Sequence, residues 1–287
     1  MIKDLLKGDK NHISFEVFPP KKEDEFDGAF EVMDKLSKLS PDFISVTYGA
    51  GGSRSKKTIE IASYITNTLG IDSICHMTCV GATRNSIREV YEDMKANNLN
   101  NLLALRGDRP AYMTDEEYFG KQFDHATDLV EFIRNELGGK DMIIAGACYP
   151  EKHFESPSLD FDIDKMLLKE ECGVSFFISQ LFFDNDIFYR FIEKARKAGV
   201  KSPILPGIMP LVSANMLGTT VSLSGSSVPK ELTDLVAKYA DNPSDMRKAG
   251  VEYAIKQIRD LRAHEVDGIH LYSMNRPKTT EEIVKGI

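Results

Sequence analysis

Short apolar runs alternate with longer amphipathic stretches along nearly all of this chain, and no other feature restricts its fold as sharply. The runs at 13–18, 43–47, 73–78, 101–105, 142–147, 175–180, 204–208 and 268–272 are rich in β-branched and aromatic residues, and several are apolar almost throughout. That is the pattern of strands buried on both faces of a parallel sheet. Between them, apolar residues recur at helical spacing. In 27–39, Phe30, Met33, Leu36 and Leu39 fall at three-residue steps on one face. The stretches 58–69, 85–97, 127–137, 165–172 and 187–198 behave alike, and Gly70, Gly138, Gly139, Gly173 and Gly199 stand where such helices should stop.

Eight strands alternating with helices over 287 residues fit one α/β domain, a single (β/α)8 TIM barrel spanning 1–287. The interval before the last strand is the longest and is expected to hold extra helical material between Leu211 and His264. A doubly wound open sheet is the alternative. Against it, no strand is followed by GxGxxG; the nearest stretch, Gly49-Ala50-Gly51-Gly52-Ser53-Arg54, has arginine where the third glycine belongs.

Composition excludes several classes of partner. A formal net charge of −8 disfavours nucleic acid or an anionic membrane as the main partner. The longest apolar runs are too short to cross a bilayer, and the charged start Met1-Ile2-Lys3-Asp4 lacks a secretory signal, so a cytoplasmic location is expected. The four cysteines (Cys75, Cys79, Cys148, Cys172) form no zinc-ribbon spacing and read as buried thiols, and the six histidines do not cluster, so no metal is expected.

In a barrel of this kind the working residues lie at the C-terminal ends of the strands. Those ends carry, in order, Glu16; Thr47 and Tyr48; His76; Arg106, Gly107 and Asp108; Tyr149, Glu151 and His153; Gln180; Pro206 and Gly207; and Asn275 and Arg276. Such a collection at one end of the sheet points to an enzyme. Glu16 is the sharpest case, because a carboxylate inside Ile13-Ser14-Phe15-Glu16-Val17-Phe18 is costly unless paired or functional. Desolvation there favours the neutral acid, which suits a proton donor; a structural ion pair is the alternative. Gly107 permits close backbone approach to a ligand, between the opposite charges of Arg106 and Asp108. Lys165, Lys169 and Glu170 read, on chemistry alone, as a solvated helix face.

The segments SFEVFPPK, ISVTYGAGGS, HMTC, LALRGDRP, YPEKH, SQLFFD, PGIMP and YSMNR, in this order from about Ile13 to Arg276, closely resemble the methylenetetrahydrofolate reductase family. The likeness is to the bacterial type, the catalytic barrel without the regulatory domain of eukaryotic members. It implies FAD-dependent reduction of 5,10-methylenetetrahydrofolate to 5-methyltetrahydrofolate, with NADH or NADPH and folate taking turns at one flavin face. By resemblance Glu16 is the general acid that helps open the folate ring by protonating N10, and Asp108 stabilises the cationic iminium. Gln180 and Arg276 match substrate-binding positions, alongside Glu16 and Asp108. The positions matching FAD contacts are Thr47, Tyr48, Ala50, His76, Arg106, Gly107, Asp108, Ala126, Tyr149, His153, Asp162 and Lys169. Lys169 thereby becomes a phosphate contact rather than surface charge.

Leu168 stands where some members have arginine, His125 where others have an aromatic hydroxyl, and Met216 where a second glutamine is common. The segment 212–227 matches poorly. It borders the nicotinamide and folate site, so a second reading stays open: the catalytic subunit of a complex fed by an electron-transfer partner protein. A third is a folate- or flavin-binding module without catalysis, which the retained Glu16, Asp108 and Gln180 oppose. The resemblance also implies a homo-oligomer.

Overall fold

A computed structural model describes residues 2–8, 10–20, 26–48, 52–109, 113–119 and 122–287. Eight parallel strands close into a barrel in sequence order: β1 His12–Val17, β2 Phe43–Val46, β3 Asp72–Thr78, β4 Asn101–Leu105, β5 Ile143–Cys148, β6 Phe176–Leu181, β7 Ile204–Ile208 and β8 Gly268–Tyr272. Closure is made by β1 against β8, with Ser14 opposite His270 and Glu16 opposite Tyr272. The (β/α)8 expectation is therefore met, and the open sheet is excluded.

The helices are α1 Ile2–Leu5, α2 Phe26–Ser37, α3 Gly52–Ser63, α4 Arg84–Ala96, α5 Asp115–Phe119, α6 Ala126–Asn135, α7 Leu159–Glu171, α8 Asn185–Ala198, α9 Ala214–Ser224, α10 Lys230–Tyr239, α11 Pro243–Ala263 and α12 Pro277–Gly286. The expected helix at 58–69 is α3 followed by a π turn, Tyr64–Thr68. The long interval before β8 holds α9, α10 and α11.

Alternation along each strand sorts side chains between two cores. Phe15, Val17, Ile44 and Val46 point outward and belong to the large cluster shared with the helices. Phe43, Ile74, Leu103, Ala145, Phe176 and Leu205 point inward and form a separate interior cluster. Ile2 and Leu5 of α1 complete that cluster, and the Ile2 backbone N–H donates to Asp72 at the N-terminal end of β3 (3.1 Å). With α1 packed against the lower end of this interior, the cavity lies at the C-terminal end. Continuing the same inward series upward brings Glu16 on β1, His76 on β3, Gln180 on β6 and Tyr272 on β8 to the wall of one cavity.

Candidate active site

The cavity at the C-terminal end of the barrel has a volume of about 310 Å³. Glu16 sits on its wall, with its side chain 19% exposed, so the carboxyl is reachable from the cavity while most of it is desolvated. Its backbone is held from β8. Ser273 donates to the Glu16 carbonyl through its backbone N–H (3.2 Å) and its hydroxyl (2.6 Å). The Asn275 side chain accepts from the Phe18 N–H (3.1 Å) and donates to the Phe18 carbonyl (2.8 Å). Met274 and Asn275 both take φ +52° to make this clamp, a strained pair beside a cavity.

Glu16 Oε2 lies 3.4 Å from His76 Nε2 and 3.7 Å from His270 Nε2. Burial pushes the His76 imidazole below its usual value, opposed by the Glu16 carboxylate and reinforced by His270. His76 is therefore neutral at neutral pH, and the contact is not a fixed ion pair. Burial also raises the Tyr272 phenol well above its usual range, and its hydroxyl donates to the Ser179 carbonyl (2.8 Å).

Gln180 continues the inward series of β6, beside the point where the β6–β7 register slips between Ile178 and Leu181. The Gln180 Oε1 accepts from the Leu181 N–H (2.9 Å). Gly107 follows β4 with φ +84°, and a Cβ there would lie 2.9 Å from Val80 Cγ1. Only glycine fits without displacing that side chain, and it turns the exposed Asp108 onto the rim.

A second compartment of about 350 Å³ shares the walls Leu105, Arg106, Ala147, Tyr149 and His153 with the first. Ala126 at the start of α6, and Asp162, Leu168 and Lys169 on α7, lie along it. Lys169 is not on a solvated face: its half-buried side chain turns in to donate to the Ala147 carbonyl (2.7 Å). Burial lowers its pKa, against the pull of Cys148 and Asp162. Glu170 likewise has a structural use, accepting the backbone N–H groups of Lys201 (3.0 Å) and Ser202 (2.6 Å). Asp162 accepts from the His153 N–H (2.6 Å) and from the Ser156 hydroxyl, which fixes the loop that carries His153. Burial, then the Arg106 charge, lowers the His153 pKa; burial pushes Tyr149 up to about 12. Arg106 pairs with Glu155, which holds its guanidinium above the usual value.

A third compartment of about 350 Å³ shares Gln180, Leu223 and Ser224 with the first and is lined elsewhere by Met209, Met216, Thr219, Thr220 and Met274 among others. The poorly matching segment 212–227 is thus a wall of the site.

Of the residues expected from sequence, Glu16, His76, Arg106, Gly107, Asp108, Tyr149, His153 and Gln180 line the first cavity, and Ala126, Asp162 and Lys169 the second. Thr47 and Tyr48 follow β2, with Thr47 N–H bonded to the Val17 carbonyl (2.9 Å), and neither lines these three compartments. Arg276 is exposed at the start of α12, also off their walls. Ala50 lies outside the described residues. The sequence reading missed Tyr272, Phe154 and Leu223 on the first cavity's wall and His270 beside Glu16. The signal for His270 was present: a histidine in the apolar run Gly268–Tyr272 is as anomalous as Glu16 in its own strand. Among the described residues no group of three His, Cys, Asp or Glu could hold a metal ion, and no helix is long and apolar enough to cross a membrane.

The fold and the site define a (β/α)8 barrel with an acid-bearing, three-part groove across its C-terminal face. A methylenetetrahydrofolate reductase family model matches residues 1–287, and the chain belongs to that family. It is 32% identical to methylenetetrahydrofolate reductase (NADH) 1 of Arabidopsis thaliana, covering 100% of this chain and 50% of that one. It is 31% identical to the 5,10-methylenetetrahydrofolate reductase of Pectobacterium carotovorum subsp. carotovorum, over 95% of this chain and 88% of the relative. The chain thus spans about half the length of the plant relatives and most of the bacterial one. Among solved structures it resembles a Clostridium thermocellum protein that binds two copies of 5-methyl-5,6,7,8-tetrahydrofolic acid (TM-score 0.68, 16% identity, 99% of this chain and 96% of that one). That likeness bears on the fold alone.

Proposed function

We propose that the chain reduces 5,10-methylenetetrahydrofolate to 5-methyltetrahydrofolate with FAD as the bound redox group. The observation that carries this reading is Glu16, a largely desolvated carboxyl on the wall of a cavity continuous with a cation-bearing compartment. The second compartment suits FAD on chemical grounds. Lys169 turns a buried ammonium toward it with one carbonyl partner, although an ammonium has three donors. Arg106 and Lys165 add positive charge along the same wall. The half-buried Tyr149 and His153 rings give a ring system apolar surface beside hydrogen-bonding edges.

Bound there, the flavin supplies hydride. The chain's own residues do the rest. Glu16 donates a proton to the folate nitrogen that leaves as the five-membered ring opens. Asp108 sets a negative charge at the rim, where a cationic folate is favoured over a neutral one. Gln180, on the wall between the first and third compartments, orients whichever ring lies there.

The purified protein is expected to carry about one FAD per chain, visible as flavin absorbance. Replacing Lys169 and His153 together with alanine is expected to weaken FAD retention, since a hydrogen bond to a charged group is worth roughly 1.5–3 kcal/mol. Equilibrium dialysis against free FAD measures this. A colourless parent that takes up no added FAD sinks the cofactor assignment; unchanged affinity in the double variant sinks the assignment of these two residues.

A second reading concerns the electron donor. The third compartment has no charged residue among its described lining, whereas a nicotinamide dinucleotide brings a diphosphate. This favours a donor whose charge is held elsewhere, including a partner protein. Anaerobic mixing of the flavin-loaded protein with NADH or NADPH decides it: rapid bleaching of the flavin supports direct reduction, and its absence supports a partner.

A further inference from the structure

Glu151, in the loop after β5, stands at a strand end like the site residues and has no part in the proposed reaction. It is half-buried, and what it holds is the far end of α9. The Ser227 backbone N–H donates to Glu151 Oε2 (3.0 Å), and the Ser227 hydroxyl donates to the same oxygen. Oε1 is buried and makes no hydrogen bond among the described residues, so the fastening falls on one atom. Beside it, the Ser226 hydroxyl donates to the Leu181 carbonyl at the end of β6 (2.7 Å). The chain that leaves β7 is thereby carried past the end of β6 and tied to the loop after β5.

Apolar packing holds only the first part of α9. Met216 and Leu217 lean on the cluster of Phe183, Leu211, Leu232 and Met246, and Thr220 is the one buried residue of the helix. None of residues 221–224 is buried, and Leu223 is 74% exposed. By contrast α8 buries Phe188, Phe191 and Ala195. Yet the loosely packed end of α9 carries Leu223 and Ser224, which line both the first and the third compartments. The helix stops at Gly225 with φ +71°, a conformation that glycine takes at no steric cost. The Ser224 hydroxyl accepts from the Ser226 N–H (3.1 Å). Gly225 and Ser226 alone separate this wall of the site from Ser227.

We propose that Glu151 is a positioning residue for folate: through Ser227 it fixes the end of α9 so that Leu223 and Ser224 stand at the boundary of the first and third compartments. This rests on the reading of that cavity as the folate site. The loop that supplies Glu151 also carries Tyr149 and His153, which face the second compartment, so one carboxyl sets the spacing between two walls. The flavin side does not depend on the tie in return. Asp162 holds the His153 N–H (2.6 Å) and the Ser156 hydroxyl by itself. Loss of the tie should loosen the folate wall and leave the flavin wall in place.

The test is the folate half-reaction of the flavin-loaded protein, reduced chemically and mixed with increasing 5,10-methylenetetrahydrofolate. Glu151→Ala removes two hydrogen bonds and should raise the half-saturating concentration roughly tenfold; Ser227→Ala removes one and should raise it about threefold. The limiting rate should stay parental, because binding shared by ground and transition states acts on half-saturation alone. FAD affinity should be unchanged in Ser227→Ala. The double variant should be no worse than Glu151→Ala, since the two residues act through each other. Ser227→Thr keeps both donors and should restore the parental value. Amide hydrogen exchange across 221–224 should be faster in both single variants, with or without folate. Parental half-saturation or parental exchange in both single variants overturns the proposal. So do additive effects in the double variant, or a loss of FAD affinity in Ser227→Ala that matches the rise in half-saturation. A parent that neither binds nor reduces folate sinks the reading of the site, and this use of Glu151 with it; faster exchange in the variants would then still show that Glu151 holds α9.

Discussion

Glu16→Gln is expected to slow the folate half-reaction by about 10²–10⁴-fold, the usual contribution of general acid catalysis, while flavin reduction stays within roughly tenfold of the parent. The asymmetry follows from where the proton is needed. Opening the folate ring leaves a nitrogen that must be protonated, whereas hydride transfer into the flavin requires no proton from this side chain. Glutamine preserves size and hydrogen-bonding capacity but cannot act as the acid. Its backbone would keep the bonds to Ser273, so the strand and the cavity wall should be unchanged. Stopped-flow absorbance of the flavin follows the two half-reactions separately in one preparation. Equal losses in both would make Glu16 a residue that shapes the flavin face; no loss in either would mean that another group supplies the proton.

The barrel itself was legible because short apolar runs, of the kind that strands buried on both faces leave, alternate eight times with amphipathic stretches. Boundaries failed where side chains replace the ladder. The first strand reads as 13–18 but ends at Val17, because both backbone groups of Phe18 are taken by the Asn275 side chain. The helix expected at 165–172 begins at Leu159. Its first turn carries Asp160 and Asp162, and its start is marked by Ser158, which accepts from the Phe161 N–H (3.2 Å). Residues at strand ends were found by the rule that barrels work at that end, and Glu16 by the cost of burying it. The same cost should have singled out His270, a buried histidine in an apolar run, but nothing local names its partners. Its partners Ser14 and Glu16 lie at the other end of the chain, and only closure of β8 on β1 brings them together. Lys169 shows the converse: local pattern assigns it to water, and the packing of α7 against β5 turns it inward.

Gly250→Ala is expected to cost about 3 kcal/mol of stability and to lower Tm by roughly 6–12 °C, at the 2–4 °C per kcal/mol of domains of about 150–250 residues. Glycine in the middle of α11 should be a liability, since alanine is favoured there by about 1 kcal/mol. The structure supplies the reason it stands there. A Cβ on Gly250 would lie 1.9 Å from the Leu211 carbonyl oxygen and 2.7 Å from its carbon, and backbone cannot swing aside as a side-chain tip can. Leu211 is buried with Phe183, Leu232 and Met246, so the loop after β7 would be levered off α11. That loop leads to Ser213 and Met216 on the wall of the third compartment, and any folded variant should therefore bind folate more weakly as well. Gly28 in α2 is the matched control, because a Cβ there meets nothing within 4 Å. Gly28→Ala should leave Tm unchanged or raise it slightly, by up to about 1 kcal/mol of stability. Thermal melts of the two variants and the parent at one scan rate separate the effects. Coincident melts for Gly250→Ala and the parent would mean that α11 can move away from the loop at little cost, and that the close approach of helix to backbone does not hold this side of the site in place.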